Sequence, residues 1–275
     1  MCNGALTGQR GALRVRGRML PWGARTYVMG IVNVSPDSFS GDGDPHAEIA
    51  AARALQQLAD GADVVDVGAE STRPGHRPIG AEIERARLLP ALGAIRAGAP
   101  DAIVSVDTFK ADVFRDARAA GGDMLNSIWG AREDLIAACA ETDAPIVVMH
   151  NKAVAVYERD VVDEVLAFLE AGAARCVRAG IAPEHVILDP GIGFGKTVAH
   201  NFELVRRLPE LVAIGRPVVI GFSRKSALGR ILGDPTASVG VAVSAYERGA
   251  WIIRAHDVRD HVEALRVARA VVEAP

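Results

Sequence analysis

The chain contains 275 residues, of which 49% are hydrophobic and 24% charged, with a formal net charge of -3 and a pI near 6.2. This composition is ordinary for a soluble globular protein, and the charge gives no basic footprint for nucleic acid. No apolar run approaches the ~18 residues of a membrane span, and residues 1–18 lack the apolar segment of a secretory signal, so we expect neither a membrane nor a secreted protein.

Cysteine usage indicates a reducing compartment. The three cysteines, Cys2, Cys139 and Cys176, show no CxxC spacing. An odd number of cysteines without metal-ligand spacing is typical of buried or idle thiols. We therefore expect a cytoplasmic protein.

The predicted elements begin with a small N-terminal unit. Residues 1–12 are rich in glycine and polar residues and are predicted to be a flexible N-terminus, and residues 13–275 are predicted to form one domain. Residues 13–23 have the pattern of a short β-hairpin that turns at Gly17.

A regular alternation of strands and helices follows the hairpin. The predicted strands are residues 27–33, 64–68, 103–107, 124–127, 145–150, 186–189, 217–221 and 251–255. The predicted helices are residues 46–61, 82–97, 110–120, 133–142, 160–179, 201–211, 226–232 with 236–248, and 258–273.

The eight strand–helix units predict an α/β fold, a single (β/α)8 TIM barrel preceded by the hairpin. The strands are nearly continuous apolar runs, as expected of parallel strands covered on both faces. A closed barrel of about 250 residues would use almost the whole chain. The alternative is an open, doubly wound sheet, but no GxGxxG follows the first strand, which argues against a dinucleotide-binding fold.

The segment of residues 186–197, VILDPGIGFGKT, places an acid at the end of a buried strand. Pro190 cannot donate a further ladder hydrogen bond, and the glycines that follow let the backbone come close to a ligand. The end of the segment partly resembles a phosphate-binding loop, but Pro190 stands where the first glycine of that motif is required. A simpler alternative is that Asp189 only caps a turn.

Each predicted strand ends in polar residues, and the carboxyl ends of barrel strands carry the chemistry of this fold. These residues are Asn33, Glu70 with Ser71, Thr72 and Arg73, Asp107, Asn126, His150 with Asn151, Asp189, Ser223 to Ser226, and Arg254 with His256 and Asp257. Their concentration at one rim indicates an enzyme.

Three of these side chains suit a flat nitrogen heterocycle. The carboxylates of Asp107 and Asp189 accept hydrogen bonds, and the Asn126 amide both donates and accepts them. An edge with ring N–H and amino groups requires such partners. The alternative is that these groups are structural.

Three cations follow the last two strands, where barrels often bind phosphate. Lys225, Arg254 and His256 are suited to a phosphate group, and carboxylate and amide oxygens beside a phosphate suit Mg²⁺. The alternative is an ion-pair cluster with Asp257 or Asp189. Residues 35–45 and 71–78 form two polar loops, which either cover the site during reaction or are solvated connections.

Seven segments together give a specific resemblance. They are MGIVNVSPDSFSGDGD, GAESTRPG, SVDTFK, LNSIWG, ILDPGIGFGKT, GFSRKSALG and RAHDV. In this order they resemble the signatures of bacterial dihydropteroate synthases, a pterin-binding enzyme family, across residues 13–272.

The resemblance implies a transferase of folate biosynthesis. The enzymes of this family condense 6-hydroxymethyl-7,8-dihydropterin diphosphate with p-aminobenzoate, giving 7,8-dihydropteroate and diphosphate. By position, the pterin site would comprise Asp107, Asn126, Asp189, Phe194 and Lys225. The diphosphate would contact Arg254, His256 and Asn33, with Mg²⁺ held at Asn33. The p-aminobenzoate site would comprise Phe39, Thr72, Arg73, Pro74 and Ser226.

The catalytic set implied by the resemblance is Asp107, Asp189, Lys225, Arg254 and His256. The family also implies inhibition by sulfonamides, which mimic p-aminobenzoate, and a homodimer that forms through the last helices. Two alternatives are a corrinoid-dependent methyltransferase acting on methyltetrahydrofolate and a non-catalytic pterin-binding paralogue. The first would lack STRPG and SRKS, and the second would have lost the loops or the cations.

The sequence departs from the family pattern at two places. Ser127 stands where Asn126 is often followed by Asp. After His150 the common Gly-Thr-Pro run is replaced by NKAVAVYERD, residues 151–160. The contacts of this fifth loop therefore cannot be carried over from the family, and His150 is given no catalytic role.

Overall fold

The computed structural model describes residues 11–34, 45–70, 78–130, 132–223 and 237–274. A hairpin comes first, in which β1 (Ala12–Val15) pairs antiparallel with β2 (Arg18–Pro21). The residues between them, Arg16 and Gly17, have φ angles of 48° and 67°, as a tight two-residue hairpin turn requires. The predicted hairpin is confirmed; of the predicted flexible N-terminus, residues 1–10 lie outside the described ranges.

Eight parallel strands form a nearly closed barrel. They are β3 (Tyr27–Asn33), β4 (Val64–Gly68), β5 (Ile103–Asp107), β6 (Met124–Ser127), β7 (Ile146–Met149), β8 (Val186–Asp189), β9 (Val219–Ile220) and β10 (Ile252–Ala255). Their order in the sheet is β8-β7-β6-β5-β4-β3-β10-β9. The two outer strands meet where Leu188 bridges Val218 and the Leu188 amide donates to Pro217 O at 2.9 Å. The predicted (β/α)8 barrel is confirmed, and the open sheet is wrong.

Helices follow the strands of the barrel. They are α1 (Pro45–Ala59), α2 (Ala81–Gly98), α3 (Ala111–Ala119), α4 (Glu133–Glu141), α5 (Val161–Arg178), α6 (Val198–Arg206), α7 (Leu208–Val212), α8 (Ala237–Glu247) and α9 (Val258–Glu273). No helix in the described part of the chain is long and apolar enough to cross a membrane.

The predicted helix of residues 201–211 is wrong in two respects. It starts earlier, at Val198, because the Thr197 hydroxyl caps it by accepting the His200 amide at 3.1 Å. It also breaks at Arg207, because Pro209 has no N–H to donate to Val205 O and its ring would clash with that carbonyl in a continuous helix. The predicted helix of residues 226–232 lies outside the described residues.

The apolar core has two layers. The larger layer fills the space between the strands and the surrounding helices. The smaller one fills the amino-terminal end of the barrel and is sealed by the hairpin; it contains Leu13, Val15, Leu20, Trp22, Tyr27, Met29, Val64, Ile103, Met124, Val147, Ile187, Val219, Trp251 and Ile252. The inner face of the barrel is therefore apolar at this end.

The alternation of side chains along each strand determines which residues lie on the inner face toward the carboxyl end of the barrel. Side chains two residues apart on a strand point to the same face, so Asp66 follows Val64, Asn126 follows Met124 and Asp189 follows Ile187. Arg254 follows Ile252 in the same way. The inner face thus changes from apolar to charged within one step of about 6.6 Å along the strands.

Candidate active site

The carboxyl ends of β3 to β6 form one row of inward-facing positions. Asn33 pairs with Gly68, Gly68 with Asp107, and Asp107 with Asn126. A Cβ atom at Gly68 would lie 3.1 Å from the Asp107 Cβ, tighter than ordinary van der Waals contact. The row therefore places an amide, a gap, a carboxylate and a second amide side by side.

Arg254 connects this row to a carboxylate deeper in the barrel. Its Nη2 donates to Asp107 Oδ2 at 2.9 Å, and its Nε donates to Asp66 Oδ2 at 2.7 Å. Burial alone would lower the pKa of Arg254, but the charges of Asp66, Asp107 and Asp189 hold it above its usual value. Arg254 is thus in an ion-pair cluster, as the alternative interpretation anticipated, but its described partners are Asp66 and Asp107.

Asp66 is a site residue that the sequence interpretation missed. It is fully buried, and its Oδ2 also accepts from Asn126 Nδ2 at 2.9 Å. Its Oδ1 has no hydrogen-bond partner among the described residues. The available signal was a lone carboxylate in the apolar strand VVDVG, since buried carboxylates are rare unless they are paired.

Asp189 ends β8 on the same inner face and is 8% exposed. Its Oδ1 accepts the Gly191 amide at 2.6 Å. Asp189 therefore does cap the turn that follows it, as the simpler alternative held, and it also contributes charge to the barrel interior through its effect on Arg254.

The glycine-rich segment after β8 differs from a phosphate-binding loop. The Lys196 ammonium lies 3.0 Å from both His150 Nδ1 and Phe194 O, and the Thr197 hydroxyl caps α6. Both residues that would serve a nucleotide are thus engaged in local contacts. Phe194 is half-buried in the same segment.

His256 is held by Ser223 from the end of the neighbouring strand. Ser223 Oγ accepts the His256 amide at 3.1 Å and lies 3.0 Å from His256 Nδ1. Because the hydroxyl can donate one hydrogen and accept through two lone pairs, Ser223 can hold the imidazole ring in either tautomer. Ser223 was predicted only as part of a polar strand end.

Glu70, Glu84 and Lys110 form a second buried cluster. Glu70 Oε1 accepts the Ile79 amide at 2.9 Å, and Lys110 bonds both Glu70 and Glu84, the latter at 2.5 Å. Burial lowers the pKa of Lys110, but its bonds to the two glutamates leave it raised. Glu70 is thus bonded to Ile79 and to Lys110.

Several predicted residues lie outside the described part of the chain. They are Phe39, Thr72, Arg73, Pro74, Lys225 and Ser226. Of the remaining predicted residues, Asn126 and Arg254 both donate to Asp66, and Asp107 joins the same network through Arg254. Asp189 lies close enough for its charge to act on Arg254, while Asn33 is exposed at the end of the row. Within the described ranges, no three His, Cys, Asp or Glu side chains are grouped to hold a metal ion.

Comparisons with known proteins point to one family. A family model described as pterin binding enzyme matches residues 29–256. The dihydropteroate synthase of Streptococcus pyogenes is 40% identical over 253 residues, covering 87% of this chain and 93% of the relative. A solved structure of Xanthomonas albilineans dihydropteroate synthase with 4-aminobenzoic acid has a TM-score of 0.90 at 40% identity, covering 97% of this chain and 100% of that one.

A second solved structure extends the comparison to an inhibitor. The Yersinia pestis dihydropteroate synthase in a sulfonamide drug complex has a TM-score of 0.87 at 38% identity, covering 96% of this chain and 100% of that one.

Proposed function

The chain belongs to the dihydropteroate synthases of the pterin-binding enzyme family, and we propose that the charged inner face of its barrel is the site of their reaction. The enzyme joins 6-hydroxymethyl-7,8-dihydropterin diphosphate to p-aminobenzoate, releasing diphosphate, in folate biosynthesis. The observation that carries the assignment of the site is the network in which Asp66 accepts from Asn126 and Arg254, and Arg254 also donates to Asp107.

The pterin lies across the end of the barrel in this proposal. Asp107 and Asn126 are paired in register, so a carboxylate and an amide can face one edge of a flat ring. Asp189 supplies a second carboxylate from β8, and Phe194 lies five residues further along for contact with the ring face. Lys225 completes the set on the strength of the family resemblance alone.

Arg254 and His256 bind the diphosphate. A guanidinium has five donors, so the bonds to Asp66 and Asp107 leave others for an anion. The Ser223 contact holds the His256 imidazole through Nδ1, which orients the ring for the diphosphate. Both residues belong to β10 or the residues after it, where barrels commonly bind phosphate.

Mg²⁺ is held at Asn33. The amide is exposed at the end of the row that contains Asp107, and a single protein oxygen beside a diphosphate fits a cation that keeps waters and binds substrate phosphates. When bound, the ion would draw charge from the departing diphosphate.

The p-aminobenzoate site comprises Phe39, Thr72, Arg73, Pro74 and Ser226. The family resemblance supports these residues, and the 4-aminobenzoic acid bound by the Xanthomonas albilineans relative supports p-aminobenzoate as the ligand. Sulfonamides are proposed to compete for the same site, as the drug complex of the Yersinia pestis relative suggests.

The charges of the described site favour a dissociative mechanism. Asp66, Asp107 and Asp189 carry three negative charges against the one positive charge of Arg254, which leaves two formal negative charges. Departure of diphosphate leaves a cation at the pterin methylene, and these carboxylates stabilise that cation more than they stabilise the uncharged pterin ring of the substrate. The amino group of p-aminobenzoate then attacks the methylene and loses a proton.

One assay tests this function against both alternatives. Diphosphate release is measured in the steady state with the pterin diphosphate, with and without p-aminobenzoate. We expect release that depends on p-aminobenzoate. A methyltransferase or a non-catalytic paralogue would show no such dependence, and that result would refute the assignment.

The proposed assembly is a homodimer that forms through the last helices. On α9, Val267 and Val271 lie one turn apart and are 65% and 72% exposed. Two exposed apolar side chains on one helix face are suited to an interface. A sedimentation experiment showing only monomer at micromolar concentration would contradict it.

A cytoplasmic location is proposed from the thiols. Cys139 and Cys176 are free and buried. Burial raises the pKa of the Cys139 thiol and raises that of Cys176 to about 11, so both stay protonated and unreactive. Reduced, inert thiols are consistent with a reducing compartment.

A further inference from the structure

The fifth loop, residues 151–160, packs against the glycine-rich segment of residues 190–197. This loop is where the sequence departs from the family pattern. The segment carries Phe194 and follows Asp189, two proposed pterin contacts. Side-chain hydrogen bonds and close backbone contacts join the loop, with His150 before it, to the segment.

The first contact joins His150 to Lys196. His150 is 3% exposed, and its Nδ1 lies 3.0 Å from Lys196 Nζ. Burial, reinforced by the charges of Lys196 and Lys152, lowers the pKa of His150 to about 4. The imidazole is therefore neutral near pH 7, so Nδ1 accepts a hydrogen bond from the ammonium.

The second contact joins Tyr157 to the backbone of the segment. The Tyr157 hydroxyl donates to Gly195 O at 2.9 Å. The Tyr157 ring stacks near His150, with centroids 6.2 Å apart, and lies edge-to-face with His200 at 5.0 Å. Tyr157 is thus fixed by its ring and is joined to the segment through its hydroxyl.

Backbone contacts complete the junction between the fifth loop, with His150 before it, and the segment of residues 190–197. A Cβ atom at Gly191 would lie 1.8 Å from His150 O, and one at Gly195 would lie 2.2 Å from Lys152 O. Both glycines also have positive φ, 71° and 55°. Only glycine allows the two backbones to approach this closely in this conformation.

The fifth loop is itself anchored to α5. Glu164 Oε1 accepts the amides of Glu158 and Arg159 at 2.7 and 3.1 Å, and Oε2 accepts from Lys152 Nζ at 2.9 Å. One carboxylate therefore holds three points of the loop. The loop is a fixed support although its tip is exposed, with Val154 at 62% and Val156 at 66%.

The junction acts on the proposed pterin contacts through short links. Lys196 Nζ donates to Phe194 O at 3.0 Å, Phe194 N donates to Gly191 O at 3.1 Å, and Gly191 N donates to Asp189 Oδ1 at 2.6 Å. A shift of the segment would therefore turn the Asp189 carboxylate and move the Phe194 ring.

We propose that Tyr157 and the His150–Lys196 pair are positioning residues for pterin binding, holding Asp189 and Phe194 in the geometry that the ligand requires. This inference rests on the proposed roles of Asp189 and Phe194. It assigns a function to the atypical fifth loop and to the lysine of the FGKT run, which has no nucleotide to bind.

The test uses Tyr157→Phe, which removes only the hydroxyl, and Tyr27→Phe as its matched control. The Tyr27 hydroxyl also donates to a backbone carbonyl, Pro21 O at 3.2 Å, but at the opposite end of the barrel. Binding of the pterin diphosphate without p-aminobenzoate is measured by calorimetry. For Tyr157→Phe we expect the Kd to rise about three- to tenfold, as the loss of one hydrogen bond allows, and for Tyr27→Phe we expect no change.

A second pair of variants addresses the lysine. Lys196→Met should raise the pterin Kd by at least about tenfold, since a charged hydrogen-bond donor is lost, and Lys196→Arg should recover part of that loss. The KM for p-aminobenzoate at saturating pterin should change less than twofold in every variant. If these residues had only a structural role, the substitutions would lower Tm without raising the pterin Kd more than the KM for p-aminobenzoate.

Three results separate the possible outcomes. Unchanged pterin Kd in both Tyr157→Phe and Lys196→Met, with active wild-type enzyme, would overturn the positioning role alone. Equal losses in Tyr157→Phe and Tyr27→Phe would overturn it as well. If wild-type enzyme bound pterin but Asp189→Asn and Phe194→Ala bound it equally well, the underlying site assignment would fail instead.

Discussion

The two ends of the barrel are made by the same eight strands but present opposite chemistry on the inner face. At the amino-terminal end, side chains such as Val64, Ile103 and Met124 are fully buried beneath the hairpin. At the carboxyl end, two to four residues further along, the inner face carries Asp66, Asp107, Asn126, Asp189 and Arg254.

The difference separates stability from function within a single sheet. Burial of apolar area stabilises the first end, whereas buried charges are costly unless they are paired. Charges are nevertheless concentrated at one end, which is expected where a ligand requires them. Substitutions at the apolar end should therefore change stability, and substitutions at the charged end should change binding and turnover.

The largest expected effect is at the apolar end. Leu13 is fully buried where the hairpin meets the barrel, so Leu13→Ala should destabilise the fold by about 2–5 kcal/mol. Urea denaturation measures the loss, and kcat of the folded fraction should stay within twofold. A large fall in kcat without loss of stability would contradict the assignment of this end of the barrel to stability.

The next effect is at the charged end. Asp189→Asn keeps the shape but removes the charge that stabilises the pterin cation, so kcat should fall about 100-fold, with Tm nearly unchanged. Asp101→Asn, which alters an exposed acid outside the site, is the control. Unchanged pterin affinity and unchanged turnover in Asp189→Asn would remove the proposed mechanism.

Asp66 lies between the rim and the apolar layer. Its substitution therefore tests whether stability and function are separated between the two ends of the barrel. Asp66→Asn weakens the bond to Arg254, so we expect a stability loss of about 1–3 kcal/mol together with a several-fold rise in the pterin KM. Denaturation and initial rates measure the two effects. A change in stability without any change in KM would place Asp66 with the structural end.

The smallest effect is a pH dependence from His150. Its pKa is lowered from 6.5 to about 4 in the folded state, so between these values the unfolded chain binds the additional proton. The stability contribution is complete well above pH 6.5 and is lost as the pH falls toward 4, with about 1–2 kcal/mol lost between pH 6.5 and about pH 5. Denaturation at several pH values should show a shallower slope for His150→Asn, and equal slopes would contradict this assignment.

Much of this division could be predicted from sequence. Apolar runs that end in Asp107, Asn126 and Asp189 mark both the strands and the rim, because the carboxyl ends of parallel barrel strands meet. The type of these residues and their position at the end of an apolar run are sufficient to predict that they lie at the rim. The break at Arg207 was predictable in principle from Pro209, but the continuous helical spacing concealed it.

The ion-pair network could not be predicted in the same way. Arg254 bonds Asp66 and Asp107 across 188 and 147 residues of sequence, and no local pattern reports such pairing. Asp66 was missed because VVDVG reads as one strand buried on both faces, whereas the inner face becomes visible only once the registers of neighbouring strands are known. The contacts of Lys196 depend likewise on the fifth loop, residues 151–160, which departs from the family pattern.

The most direct test of the central claim is a crystal structure of the enzyme soaked with 6-hydroxymethylpterin. We expect the ring at the carboxyl end of the barrel, with its amino-pyrimidine edge against Asp107, Asn126 and Asp189. A pterin bound elsewhere, or one at this end of the barrel that contacts neither carboxylate, would contradict the proposed site.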